Sequence, residues 1–519
     1  DTHVGGDVFH TGATDRLAYL LRYGATYTGG YRENDWRRFH TGTMLLQAQP
    51  TFADTILGGV TASRDEQGDT AIGFDPHASD AALDSDATRT EGFLGYHRRL
   101  GPAFHLIGQV TYGDRRDHRR DAARERLIFL RDLVDGTPTP PVPITITADD
   151  REREHDHALT AEAQLIRDGP LVSVVAGAGV VDAPVRVREG GRGTRRRGFQ
   201  NPLTFTFAST ADTDEDAQRA YLHSIWHLGR WADLTVGGSY VRLTVPLRTF
   251  APFDSATRTS ARVSPKLGLL LYPTARTVVR AAYLRNYGRV NGADAQSLEP
   301  TQVAGFDQVA ALGFDVGATE TEVASVGIDH ALAAQTYVGV EVVRGRQRSL
   351  AGVTRSTLTS DRATGRLTLA ERTTRLADEF RDDTLRAYWD QVLTARLVST
   401  VTYRLEDAAT DLGGRQVDRT LGQILAVSLG YFDPARWFAS ATATWRRQDV
   451  DRFGRVDDGV HDFWVADVAL GYRLPDRRGS IRLGLTNVFD QGFRYLARGL
   501  DGAFLPERSV TLALVLATP

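Results

Sequence analysis

The chain has 519 residues, of which 41% are hydrophobic and 24% are charged, and its formal net charge is −3. It contains no cysteine, which excludes disulfides, thiolate metal sites and cysteine nucleophiles, and its near-neutral charge argues against a general nucleic-acid binder. No run approaches the roughly 18 to 20 apolar residues of a membrane-spanning helix, so membrane residence would require a barrel, whose strands show lipid only every second side chain.

The organising signal along the chain is a tight turn of Gly, Pro, Asp or small residues followed by about ten residues of alternating polarity. The first predicted strand covers 16–28, and we expect residues 1–15 to be a periplasmic N-terminal lead-in. Consecutive turns lie about 53 residues apart, which fits two membrane strands joined by one tight turn and one long connection. The predicted turns lie at 49–51, 100–102, 167–170, 229–230, 272–274, 333–334, 394–396, 432–434 and 475–477.

Polar, irregular stretches separate these turns and predict the long connections. Short and long connections largely alternate, as in outer-membrane barrels with short periplasmic turns and long extracellular loops. The stretches are 65–86, 114–153, 190–214, 290–320, 350–383 and 448–458. The sequence therefore predicts an all-β fold, with residues 16–519 forming one large closed antiparallel transmembrane β-barrel of about 20 strands, within a range of about 18 to 22. Such a barrel is too wide for its own side chains to fill, so it holds either water or a plug.

Two late segments carry apolar stripes that begin and end with an aromatic residue. One runs from Trp437 to Trp445 and the other from Trp464 to Tyr472. Eight residues of tilted strand rise by about 19 Å, which roughly separates two interfacial aromatic girdles. The predicted lipid-facing aromatic residues are Trp437, Trp445, Trp464, Tyr472, Phe104 and Tyr112. The predicted lumen-facing residues on the opposite face are Gln109, Thr442, Asp467 and Arg482.

The last forty residues contain Leu483-Gly484-Leu485-Thr486-Asn487-Val488-Phe489-Asp490, and later Leu505-Pro506-Glu507-Arg508 before an alternating strand. This text resembles the closing strands of TonB-dependent outer-membrane receptors, with Asn487, Phe489, Asp490 and Arg508 as the matching motif residues. Asn487 and Asp490 suit a strand end where side chains bond turn amides. The family also carries an N-terminal plug domain, which we expect to lie outside this chain or to be absent.

The resemblance implies a barrel of the bacterial cell outer membrane that transports a solute, similar to a TonB-dependent receptor without its plug. The alternative is an export pore, or a structural outer-membrane anchor or scaffold for a periplasmic or multi-subunit partner, because a similar motif closes barrels that follow periplasmic tetratricopeptide repeats. We expect contact with outer-membrane lipid and lipopolysaccharide, a separate plug or periplasmic subunit as a candidate partner, and no nucleic acid.

The sequence shows no HExxH, Walker A or Gly-x-Ser-x-Gly motif, so it predicts no enzyme, no cofactor and no metal site. The tripeptide His155-Asp156-His157 is interpreted as a solvated loop end. The basic run of Arg192, Arg195, Arg196 and Arg197 is a candidate anion or lipopolysaccharide loop, with a plain solvated loop as the alternative. The stretch 114–132, with an apolar patch at 127–130, is a candidate for a short helix at the barrel mouth. Lys266 is the only lysine, and we attribute the preference for arginine to codon bias.

Overall fold

The computed structural model describes residues 3–30, 32–70, 80–134, 137–197, 200–246, 257–288, 297–307, 319–361, 367–452, 459–496 and 507–516. These residues form one sheet of 22 strands and a separate two-stranded hairpin. Among them, no helix is long and apolar enough to cross a membrane.

The strands follow one another along the chain. Their bounds are β1 His3–Ala13, β2 Leu17–Thr28, β3 Arg37–Ala48, β4 Asp54–Gln67, β5 Leu83–Arg99, β6 Phe104–Val134, β7 Thr137–Pro138, β8 Val142–Arg167, β9 Val172–Arg197, β10 Gln200–Leu228, β11 Ala232–Pro246, β12 Thr257–Thr274, β13 Thr277–Gly288, β14 Gln302–Val303, β15 Phe306–Asp307, β16 Thr319–Ala333, β17 Thr336–Asp361, β18 Leu367–Thr394, β19 Leu397–Leu412, β20 Arg415–Phe432, β21 Trp437–Arg452, β22 Gly459–Arg473, β23 Gly479–Thr486 and β24 Ser509–Leu516.

The large sheet is an antiparallel meander. Leaving out the two-residue β7, each of the other 21 described strands of this sheet pairs with the strands before and after it in the sheet, except that β1 and β24 each pair with one. Because each runs opposite to the one before, β1 and β24 run in the same direction. Within the described residues, β1 pairs with β2 and β24 pairs with β23, and no ladder joins β1 to β24.

Short connections gather at one end of the sheet, here named the turn end, and the long connections lie at the other, the loop end. Each of the nine predicted turns overlaps or adjoins a turn-end connection. A further tight turn at Thr14 joins β1 to β2, where the Thr14 hydroxyl accepts the Leu17 amide at 3.1 Å. The structure therefore has a strand, His3–Ala13, where the sequence predicts a lead-in, and that strand starts at the loop end. The sequence did not predict this strand because the threonine turn lacks the Gly or Pro used as a signal.

Several stretches predicted as long loops are strands instead. β6, β10 and β18 have 31, 29 and 28 residues, against the roughly 9 to 11 that cross a bilayer. Stretches 114–153, 190–214 and 350–383 therefore lie largely in hairpins that extend beyond a bilayer's thickness, and residues 127–130 continue β6 rather than form a helix. The sequence did not predict these strands because they carry polar side chains on both faces and therefore lack an apolar stripe.

One parallel ladder joins strands that are distant in the meander. Residues Thr357–Asp361 of β17 pair with Phe129–Leu133 of β6, and Leu358 is completely buried there. Both segments belong to the long loop-end hairpins. The contact therefore ties two distant parts of the sheet together at the loop end.

The two faces of the sheet differ along the ladders. We name the face that residues 297–307 cover the inner face, because Lys266 on it contacts Glu299 of that segment. Following the ladder partners from Lys266 places Gln109, Thr442, Asp467 and Arg482 on the inner face. The opposite, outer face carries exposed Leu, Val, Ile and aromatic side chains.

On the outer face, two aromatic pairs cross neighbouring strands. The rings of Trp437 and Tyr472 lie 4.9 Å apart and those of Trp445 and Trp464 lie 6.5 Å apart. Between them, Ala441 faces Val468. Since Thr442 is the next residue along the strand, its side chain points to the other face.

A charged side chain should lower the stability of the folded chain much more at position 441 than at position 442. We expect Ala441→Arg to destabilise the folded chain by about 2 to 4 kcal/mol, because that position lies midway between the aromatic pairs where a lipid-facing arginine is most costly. Thr442→Arg should cost far less because the inner face carries water and polar groups. Urea unfolding in lipid vesicles measures both. Equal losses would contradict the assignment of the outer face to lipid.

Candidate functional site

The inner face carries a compact polar cluster under residues 297–307, which belong to the connection between β13 and β16. His223 of β10, Gly237 of β11 and Lys266 of β12 are successive ladder partners, so they form one row across three strands. The Glu299 carboxylate lies over this row and accepts from the Lys266 ammonium group, and it lies 3.1 Å from His223 Nε2. His223 is 2% exposed and Lys266 is 0% exposed.

Gly237 makes room for this contact. A Cβ atom at that position would lie 2.6 Å from His223 Nδ1 and 2.7 Å from the Leu222 carbonyl oxygen. A larger residue would therefore displace the imidazole. We name the place of the Glu299 carboxylate, in contact with both nitrogen donors, the notch.

The residues before Glu299 bind β8, which is separated from β10 by β9. The Ser297 hydroxyl donates to Glu162 at 3.2 Å, and the Leu298 carbonyl oxygen accepts from Gln164 Nε2 at 2.6 Å. Gln164 Nε2 also lies 3.0 Å from the Tyr221 hydroxyl, to which it donates. Two further wall atoms, Glu162 Oε2 and Ser264 Oγ, are buried without a hydrogen-bond partner among the described residues.

The rest of the segment rests on an apolar patch nearer the turn end. Val303 and Phe306 flank the β14–β15 turn and pack with Ala282, Leu284 and Val323 of β13 and β16. Both side chains are buried, at 3% and 4% exposure. The 297–307 segment thus contacts the wall through hydrogen bonds to β8, through the ionic contact at Glu299 and through this apolar contact.

Arg280 joins the apolar patch to the charges of the wall. Its guanidinium lies 4.8 Å from the centre of the Phe306 ring and donates to the Gly305 carbonyl oxygen at 3.3 Å. It also pairs with Asp329 at 2.7 Å and with Glu341 at 3.1 Å. The arginine is therefore held by two carboxylates while its face stacks on the segment.

A second segment, the start of the β23–β24 connection, also lies on the inner face. The Asn487 amide N–H donates to Asp467 at 2.9 Å, and the Asn487 side chain bonds both the N–H and the carbonyl oxygen of Gln491 at 3.0 Å. Asn487 has a φ of 48°, a left-handed turn conformation that Asn tolerates. The Arg508 amide donates to Asp490 at 3.1 Å, while Phe489 is exposed.

Beyond this turn the chain packs on β21 and β22. Phe493 stacks on Phe463 with ring centres 4.2 Å apart, and the Tyr495 hydroxyl contacts Arg446. Gln448 exchanges two hydrogen bonds of 2.9 Å with the backbone of Leu496. The residue types predicted that the Asn487 and Asp490 side chains would bond turn amides here, and both side chains accept from such amides.

The other sequence-predicted positions are dispersed. On the inner face, the Gln109 amide donates to Thr111 at 3.0 Å and Thr442 bonds Ser428 at 3.1 Å. Arg482 is exposed on the inner face, and none of these side chains contacts residues 297–307 among the described contacts. Phe104 and Tyr112 are 42% and 48% exposed on the outer face.

The candidate basic loop is a strand rather than a loop. Arg192 and Arg195–Arg197 lie at the end of β9, where Arg192 pairs with Thr206 of β10 and Asp149 of β8. Arg192 is exposed, and the side chains of Arg195, Arg196 and Arg197 lie outside the described residues. The ladder continues through the glycines because β10, with 29 residues against 26 in β9, supplies backbone partners along this whole end of β9.

The tripeptide His155-Asp156-His157 lies inside β8 and not at a loop end. His155 bonds Asp114 of β6 at 2.9 Å. In the part of the chain that the structure describes, no group of three His, Asp or Glu side chains is arranged to hold a metal ion.

His223, Glu299 and Lys266 are the residues that sequence reasoning missed. They are far apart in the chain, and no motif spacing links them. One signal was present, since a single lysine in a chain that otherwise uses arginine marks a position where a compact ammonium group fits and a guanidinium does not.

Comparison with known proteins rests on the fold. No family model and no curated protein sequence matches the chain. Among solved structures, the copper transporter OprC is similar with a TM-score of 0.64 at 11% identity, over 99% of this chain and 77% of that one. The FrpB iron transporter from Neisseria meningitidis has a TM-score of 0.63 at 12% identity, over 98% and 78%. The ferric-catecholate import receptor Fiu from E. coli K12 has 0.59 at 12%, over 98% and 80%.

The chain has the fold of the TonB-dependent outer-membrane receptors. This TonB-receptor-like sheet agrees with the resemblance of the closing motif around Asn487. The similar proteins are transporters and receptors of the outer membrane. At these identities the likeness concerns the fold alone.

Between the Trp445–Trp464 pair and the loop end, one carboxyl group has a strongly shifted pKa. Asp382 of β18 lies five residues beyond Ala387, which shares a ladder row with Trp445. Burial raises the pKa of Asp382 to about 6, and the negative charge of Glu406 adds to the effect. Thr384 donates to it at 3.4 Å.

This shift predicts a pH-dependent loss of stability. A carboxyl group whose pKa is higher in the folded than in the unfolded chain stabilises the fold at low pH, and this contribution is lost as the pH rises through about 6. We expect Asp382→Asn to stabilise the chain by about 1 to 2 kcal/mol at pH 8, after allowance for partial exposure, and by almost nothing at pH 4. Unfolding midpoints in urea at the two pH values measure this. Asp476→Asn, in a turn-end connection, is the control, and a gain independent of pH would contradict the assignment.

Proposed function

We propose that this chain is a bacterial outer-membrane barrel that takes up a solute, with residues 297–307 closing its lumen until the solute binds. The lumen is bounded by the inner face, and the outer face contacts lipid and lipopolysaccharide. A periplasmic partner of TonB type supplies the energy. The observation that carries the proposal is the attachment of 297–307 to the inner face through the ionic contact at Glu299 and the adjoining apolar contact of Val303 and Phe306.

A segment held in this way suits a closure that opens. Its ionic contact at Glu299 is made with buried partners, and breaking a buried pair is unfavourable unless another ligand replaces it. Its apolar contact buries only Val303 and Phe306. Both contacts are small compared with the strand ladders, so the segment can leave while the sheet stays intact.

The similarity in fold supports transport over catalysis. The similar structures are described as a copper transporter, an iron transporter and a ferric-catecholate import receptor. The inner face of this chain carries ionic groups of both signs, such as Arg280 with Asp329 and Arg22 with Asp7. Such a lining suits a polar solute.

Removing the apolar contact should open the lumen. We expect Phe306→Ala to raise the steady conductance of the purified chain in planar bilayers several-fold, because truncating a buried aromatic residue costs about 3 to 5 kcal/mol and frees the segment. Phe52→Ala is the matched control, since Phe52 is 95% exposed in a turn-end connection. Its conductance should equal that of the unaltered chain.

Three outcomes separate the proposals. Low conductance in the unaltered chain and a rise with Phe306→Ala support closure by 297–307. A large steady conductance in both chains indicates an export pore that is always open. Silence in both, together with no energised uptake in cells, leaves the membrane anchor as the remaining function.

A further inference from the structure

The two nitrogen donors that contact Glu299 belong to strands of the wall, whereas Glu299 itself belongs to a connection. His223 and Lys266 come from β10 and β12, which are fixed by ladders on both sides. Glu299 comes from the 297–307 segment. The carboxylate is therefore the removable member of the group.

The two wall residues present a buried ammonium group and a buried imidazole to the carboxylate. Lys266 is fully buried and His223 nearly so, and desolvating an ammonium group is very unfavourable without a negative partner. The notch accommodates the one carboxylate that Glu299 supplies. If the segment left and nothing replaced Glu299, Lys266 would lose this carboxylate.

Atoms beside the notch suit a second polar group on the same ligand. Ser297 donates to Glu162, and its departure would free that acceptor. Glu162 Oε2 and Ser264 Oγ are buried and unpartnered among the described residues even while the segment is in place. Gln164 Nε2 would lose the Leu298 carbonyl oxygen and become free to donate. A hydroxyl group would satisfy both a donor and an acceptor of this kind.

We propose that the His223–Lys266 row binds a carboxylate of the transported solute, that the solute is a hydroxycarboxylate, and that Glu299 occupies the site as an internal substitute which the solute displaces. This rests on the proposed function, because it makes 297–307 the closing segment. Exchange of one carboxylate for another keeps the buried lysine paired throughout. The solute thus releases the segment at the place where it binds.

The proposal predicts that removing the internal competitor tightens binding. We expect Glu299→Gln, which keeps the size of the side chain and removes its charge, to bind malate about tenfold more tightly than the unaltered chain, as expected when a charge-assisted contact no longer competes. Isothermal titration of the detergent-solubilised chain measures it. Asp7→Asn is the control, because Asp7 pairs with Arg22 at 2.7 Å on the same face but far from the notch.

Two further measurements test the residues and the ligand class. In the Glu299→Gln chain, adding Lys266→Met should abolish malate binding. Adding His223→Gln instead should weaken malate binding. Because His223→Gln keeps a polar side chain at its buried position, it serves as the test if the methionine variant fails to fold. Succinate, which lacks the hydroxyl group, should bind more weakly than malate. Inorganic phosphate should bind weakly, because its tetrahedral oxygens do not match a notch for one planar carboxylate.

An unchanged affinity in Glu299→Gln would overturn the proposal, and so would malate binding that survives both wall substitutions. Succinate or phosphate binding as tightly as malate would overturn the ligand class. If Phe306→Ala opens the pore while malate fails to bind Glu299→Gln, the closing role of 297–307 stands and the carboxylate site alone is wrong.

Discussion

The rest of the structure depends on the requirement that backbone amides and carbonyls inside a membrane find partners within the protein. An uninterrupted antiparallel ladder meets this requirement for strand after strand. It also directs successive side chains to opposite faces, so the same strand presents one set of side chains to lipid and the other set to the lumen. The apolar outer face and the ionic inner face are both consequences of this single pattern of hydrogen bonds.

The ladder also explains how a polar cluster forms from distant residues. His223 and Lys266 are brought side by side because Gly237 pairs with both. Fixed strands can hold the buried nitrogen donors in place, but the ladder itself carries no carboxylate that could bind and leave them. A connecting segment supplies it through Glu299, and a connection can move where a strand cannot. The strands thus fix the positions of the two nitrogen donors, and the connection supplies the carboxylate that can be exchanged.

The sequence predicted the features that depend on local chemistry. Turns such as Asp433-Pro434 and the stripe from Trp437 to Trp445 follow from residue type and a period of two, and the register agrees with them. It did not predict the length of β8, because residues near His155 are polar on both faces and carry no period. It did not predict the position of Glu299 either, because that depends on folding of the β13–β16 connection into the lumen and on partners far away in the chain.

Among the described long strands of the large sheet, the outermost two, β1 and β24, each pair with one neighbour. Leu512 of β24 is 72% exposed, whereas its ladder partner Leu483 is 49% exposed, and Val8 of β1 is 72% exposed. Amide protons along their unpaired edges have no partner among the described residues, so exchange with solvent would begin there and advance strand by strand. The sheet would therefore lose its ladders in a fixed order, from β1 and β24 towards the middle strands. The 297–307 segment contacts middle strands, which would separate last.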